Sequence, residues 1–129
     1  MPARRPNPDD AARVTEVTRA LDSGQEPPRD ALRPAVRYLL LRLAEQVPGK
    51  SVEVRVPPVA AVQCIPGVRH TRGTPPNVVE TDPVTWVRLA TGRLDWAAAV
   101  ASGQVQASGT RADLRAYLPV GEPMGDTAG

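Results

Sequence analysis

A single α+β domain with a mainly antiparallel sheet is the fold class that this sequence predicts, and three observations carry it. Apolar residues recur at spacings of three and four over residues 31–47. The period then changes to two at Val52, Val54 and Val56. Finally, the middle of the chain holds short strand-like runs at hairpin spacing, not the repeated strand–helix alternation that a doubly wound parallel sheet requires.

The chain opens with a Pro- and Arg-rich stretch, and residues 1–8 are expected to be disordered. Asp9 or Asp10 can cap a first helix reaching about residue 21, with Val14, Val17 and Leu21 on one face. Gly24 and two prolines mark a loop over 22–29. In the helix expected over 31–47, Leu32, Val36, Leu39, Leu40, Leu43 and Val47 share a side, so that side packs on a sheet. Pro34 is placed in its first turn, where a missing N–H is tolerated. Pro48-Gly49 stops it.

Val52, Val54 and Val56 alternate with Ser51, Glu53 and Arg55 in a half-buried strand. A second strand over 59–65 is expected to pair with it antiparallel, across Pro57-Pro58. Short strands are read over 68–71 and 77–80, with a turn or loop over 73–76. Asp82-Pro83 starts a helix that ends at Gly92, and Asp95 caps a shorter one over 96–101, closed by Gly103. Val105 and Ala107 belong to a last strand. Thr110 to Asp113 has capping-box spacing and opens a final helix through Leu114 and Leu118. One domain over residues 9–118 follows, made of a helix pair (9–47) and a sheet-bearing region (50–118), with 119–129 a flexible tail.

At 129 residues the chain suffices for one domain and its own core. It has no Phe and only Tyr38, Trp86, Trp96 and Tyr117 as aromatics, so Leu, Val and Ala must build that core. The net charge of +2 is small and spread over both halves, which excludes the clustered cations that phosphate backbones require. No nucleic-acid partner is expected. A single cysteine, Cys64, excludes an internal disulfide and a cysteine zinc cluster, and its apolar neighbours make it a small buried hydrophobe. There is no signal-peptide pattern and no run long enough to span a membrane, so a cytoplasmic location without integral membrane association is the expectation. No His-Glu-x-x-His, Gly-x-Ser-x-Gly or phosphate-binding glycine loop is present. No catalytic residue, metal site or cofactor is expected, and an enzyme would need a cleft joining His70 to Asp82 or Cys64.

Residues 82–118 carry a pattern of wider meaning. Asp82-Pro83-Val84-Thr85-Trp86 is followed by Leu89-Ala90-Thr91-Gly92, then by Leu94-Asp95-Trp96 and an Ala-rich helix to Gly103. Gln104-Val105-Gln106-Ala107-Ser108-Gly109 and Asp113-Leu114 complete it. This order resembles the C-terminal part of the sterol-carrier-type lipid-binding family. The run from Gly73 to Pro83 resembles an actinobacterial subgroup of sterol-carrier proteins. The resemblance covers about residues 50–118. It implies a curved, mainly antiparallel sheet of about five strands covered by helices, with an apolar tunnel and no covalent chemistry. Asp82, Pro83, Gly92, Gly103 and Gly109 take structural roles in it, at helix starts, helix ends and the strand-to-helix turn. The sequence departs from the family at Leu118, where Pro119 and a polar tail replace further apolar residues.

Trp86 and Trp96 can flank a pocket mouth, and Leu89, Leu94, Val100, Val105, Leu114 and Leu118 can line an apolar cavity. The competing reading of all eight is a closed core. Arg69, His70 and Arg72 form a local basic patch that can meet an anionic head group, or simply a solvated loop. The loop holding Thr74 and Asn77 is stiffened by Pro75-Pro76 and is either a recognition loop or a crossover. The leading expectation is noncatalytic binding or carriage of a lipid or other apolar small molecule. The alternative is a protein-interaction module or homodimer that uses the same fold with its cavity filled.

Overall fold

The computed structural model describes residues 4–67 and 77–121. Helix α1 (Ala11–Asp22) and helix α2 (Arg29–Gln46) precede strands β1 (Val52–Val56), β2 (Ala60–Cys64) and β3 (Asn77–Thr81). Helices α3 (Pro83–Ala90) and α4 (Trp96–Ala101) follow, then strand β4 (Val105–Ser108). Among the described residues the sheet has four strands in the order β2-β1-β3-β4.

The alternation read in the sequence sets which face of the sheet is buried. Val52, Val54 and Val56 of β1 and Val79 of β3 are at most 1% exposed, and Cys64 and Val105 join them. On the other face Glu53, Arg55 and Glu80 are half-buried, while Gln63 and Gln106 are exposed. Helix α2 covers the apolar face, with Ala35, Val36, Leu40 and Leu43 fully buried. Trp86 locks α3 onto α2: its indole Nε1 donates to the carbonyl of Val36 at 3.3 Å. A buried indole N–H needs such a partner, and the large ring supplies core volume that the missing phenylalanines would otherwise have given.

β1 and β2 form the expected antiparallel hairpin, turned at Pro57-Pro58, with the N–H of Val59 donating to the carbonyl of Val56 at 2.8 Å. Two of the three strand pairings are antiparallel, but the expected curved sheet of about five strands is corrected to an open, mixed sheet of four among the described residues. β3 runs parallel to β1. The register gives the reason: Cys64, at the end of β2, and Asn77, at the start of β3, both lie beside Val52. β3 therefore starts at the end of β1 where β1 itself starts, and so runs parallel to it. Periodicity carries no information on which side of β1 the next strand lands. The strand expected over 68–71 and the turn or loop over 73–76 lie outside the described residues.

Three further expectations are corrected. α2 starts at Arg29, where the carbonyl of Pro28 accepts from the N–H groups of Ala31 and Leu32, so Pro34 falls in its second turn and not its first. The final helix is replaced by a 3-10 turn over Arg115–Tyr117. The Asp113 carboxylate, which a capping box would turn back to Thr110, accepts instead from the N–H of Arg115 at 2.8 Å. The chain ends also hold more structure than expected. Asn7 caps a 3-10 turn at Pro8–Asp10, and Val120 is buried, its N–H donating to the carbonyl of Ala90.

Behind β1 the backbone closes on itself. The N–H of Ile65 donates to Val47 and its carbonyl accepts from Ser51. These two bonds and its burial hold Ile65 at a φ of 70°, a region that a β-branched residue rarely enters. Gly49 lies against that carbonyl, and a Cβ there would sit 2.1 Å from the oxygen. Gly49→Ala is therefore expected to destabilise the domain by about 1–3 kcal/mol, read as a lower urea midpoint with an unchanged slope.

Candidate functional site

A groove of about 470 Å³ lies between α1, α2, the end of α3 and the last described residues. Its α1 wall is Ala11, Val14, Thr15 and Thr18, a stripe at helical spacing. Tyr38 and Leu39 of α2, Ala90 and Thr91 at the end of α3, and Pro119 to Gly121 make the other sides. Arg93 is the one charged residue among the described residues of the lining.

The position of Arg93 follows from how α3 ends. Gly92 adopts a φ of 80°, its N–H donates to Leu89, and the N–H of Arg93 donates to Arg88. This paired reversal is the Schellman closure, and it needs a residue at ease with positive φ. Arg93 is thereby aimed across to the last residue of α1. Its Nε and Nη2 each reach an oxygen of Asp22 at 2.7 Å. The pair joins two segments 71 residues apart in sequence. The hydrogen bond from Arg93 is the main cause that holds the Asp22 carboxyl below its ordinary value of 3.8. The bond helps hold the fold above the ordinary carboxylate range, and that help is lost as pH falls through the lowered value.

A second hollow, of about 400 Å³, lies on the other side of this pair, lined by Leu21, Asp22, Gly24, Gln25, Val84, Arg88 and Arg93. A third, of about 240 Å³, lies at the β3–β4 side, among Pro57, Glu80, Thr81, Asp82, Gln104 and Gln106.

The apolar residues singled out by sequence lie elsewhere. Trp86, Leu89, Val105 and Leu114 are at most 2% exposed, and Trp96 is 6% exposed, all within the main core. Leu94 and Leu118 pack partly buried against that core, and Val100 is exposed. None of the eight lines the three hollows described. Asp82 caps α3, accepting from the N–H of Thr85 at 3.0 Å, with Pro83 in the first turn. Gly103 follows α4 and Gly109 follows β4. Arg69, His70, Arg72 and Thr74 lie outside the described residues.

Asn77 is buried and acts as a clasp. Its Nδ2 donates to the carbonyl of Ser51 and its Oδ1 accepts from the N–H of Arg111, both at 2.9 Å. It thus ties the approach to β1, the start of β3 and the segment after β4. Sequence reasoning missed Arg93, Asp22 and the α1 stripe as a site. The one available signal was the run of small side chains on α1 at helical spacing. Among the described residues no group of three or more His, Cys, Asp or Glu residues is placed to hold a metal ion. No described helix is long and apolar enough to cross a membrane.

A family model described as bacterial SCP ortholog matches residues 28–120. That span runs from the residue preceding α2 to buried Val120, takes in the whole sheet and leaves out α1. Comparison with curated proteins yields no match.

Two predictions follow from these placements. Asn77→Ala strips both clasp bonds and is expected to cost roughly 2 kcal/mol or more, measured by chemical denaturation. Cys64 is fully buried on β2, and burial pushes its thiol up to about 12. Native protein is expected to resist a thiol reagent until it unfolds. An unfolded chain ionises this thiol near 9.0 while the folded one keeps it neutral, so stability falls as pH rises from there towards 12. Rapid native labelling would contradict the placement.

Proposed function

We propose a noncatalytic binding function for this chain, which belongs to the bacterial SCP ortholog family: it holds or carries an apolar small molecule in the groove beside α1. The observation that carries the reading is the groove itself. Its volume of about 470 Å³ falls in the range of small-molecule pockets, and Val14, Leu39, Ala90 and Val120 give it apolar walls beside a few polar groups. The chemistry of its lining adds support. Threonine hydroxyls, a tyrosine and one arginine can orient a ligand, and they include no nucleophile–base pair. Apolar area removed from water would supply the affinity, at roughly 25 cal/mol per Å² as an upper figure.

The test is native mass spectrometry of protein purified from its own kind of cell, followed by organic extraction. A stoichiometric apolar adduct, lost on denaturation, is the expected result. Thr15 is exposed on the groove's rim, so Thr15→Trp should fill the groove, leave the melting temperature nearly unchanged and abolish the adduct. Protein that carries no adduct and takes up no member of a panel of fatty acids, alcohols and sterols would remove the reading. A clean dimer without adduct would point to an interaction module instead.

A further inference from the structure

We propose that two copies of this chain associate through the outer edge of β4, antiparallel and centred on Gln106, so that their sheets join into one. The surface is separate from the groove, whose described lining holds no residue of α4 or β4. The inference therefore stands apart from the binding function proposed above.

The first observation is one of charge. In a chain with 23% charged residues, residues 96–110 contain no Asp, Glu, Lys, Arg or His. Most of that stretch nonetheless faces water. On α4 only Trp96 and Ala99 are buried, and on β4 only Val105. Val100, at 39%, is the large hydrophobic residue left exposed among the described residues. α4 packs on β4, so both belong to one end of the sheet.

The second observation is the edge itself. Among the described residues β3 alone pairs with β4. The outer side of an edge strand is a row of unpaired N–H and C=O groups, which soluble proteins block with lysine, proline or an inward charge. The run from Gln104 to Gly109 has none of these. The opposite edge, β2, is also uncharged, but Pro57-Pro58 and Pro66 bracket it and supply no N–H.

Neutrality points to a second copy as the occupant. A different protein is selected by opposite charge, whereas a strand that meets itself across a two-fold axis sets every charge beside its like. A self-pairing edge is therefore best uncharged. Glutamine suits the axis, because its amide both donates and accepts and so can bond to its own counterpart. Gly103, at a φ of 82°, and Gly109, at 103°, bound the strand, and Gln106 is midway between them. With the axis there, Val105 faces Ala107 and Gln104 faces Ser108. An axis normal to the sheet keeps both α4 helices on one face, so Val100 and the exposed alanines flank the joint. Their burial adds the apolar contact that pairing of a four-residue strand lacks.

The experiment is sedimentation velocity of the full chain across a concentration series, on the wild type, Gln106→Lys, Gln106→Glu and Val100→Glu. Melting curves at the lowest concentration confirm folding, which these exposed positions should tolerate. The wild type should pass from monomer to dimer as concentration rises. Gln106→Lys and Gln106→Glu should each weaken association by about tenfold. An equimolar mixture of the two should restore it, because the axis sets Lys against Glu. Val100→Glu should weaken it as well. A wild type that stays monomeric throughout overturns the proposal. So does a dimer that Gln106→Lys leaves intact, or a mixture no tighter than either variant alone. Growth beyond the dimer would mean β4 pairing with β2 in an open chain and overturns the two-fold joint. If the Gln106 variants do not fold, Val100→Glu decides, and an unchanged dimer overturns the assignment.

Discussion

A sheet that is apolar on one face must be covered on that face, and nearly everything else in this domain answers to that constraint. Val52, Val54, Val56, Val79, Cys64 and Val105 present a buried surface, and α2 packs against β2 and α4 against β4. α2 supplies most of the cover, because its sheet-facing side includes Val36, Leu40 and Leu43, all fully buried. Trp86 then fixes α3 against α2 by an indole–carbonyl bond. With α2 and α3 fixed, the chain end has a ledge on which Val120 can bond to Ala90. α1 has no place against the sheet and packs on the outside of α2 and α3.

That outer position explains the character of the groove. α1 buries only Val17 fully, and the stripe it turns toward the groove is made of Ala, Val and Thr. At its end α1 is secured to the segment after α3 by the Arg93–Asp22 pair. An exposed ion pair adds little to stability when isolated. Its importance here is positional. The Schellman turn at Gly92 places Arg93 beside both the groove and the hollow behind it, so one side chain organises the polar end of both.

Much of the fold was legible because its signals are local. The caps at Asp82 and Asp95, the stop at Gly92, the valine alternation of β1 and the apolar face of α2 each announce themselves within a few residues. The placement of β3 did not, because its parallel pairing with β1 leaves no mark on periodicity. The final helix differs for another reason: the capping-box spacing at Thr110 is a local signal, but the Asp113 carboxylate accepts from Arg115 and does not reach back to Thr110. The sequence singles out Asn77 only as part of a recognition or crossover loop. Its burial as a clasp depends on Ser51 and Arg111, 26 and 34 residues away.

The site was the least legible part, and the reason lies in what sequence reasoning searches for. Large apolar and aromatic residues attract notice as pocket candidates, yet in a small domain without phenylalanine they are the residues the core needs most. Trp86, Leu89 and Leu114 are drawn inward for that reason. A hollow forms where volume is missing, and volume is missing where side chains are small. Close packing is the rule of protein interiors, so a stripe of Ala11, Val14, Thr15 and Thr18 facing Tyr38 and Leu39 leaves space that no other element fills. In a domain this poor in aromatics, the candidate pocket is better sought along a helix of small residues than among the tryptophans.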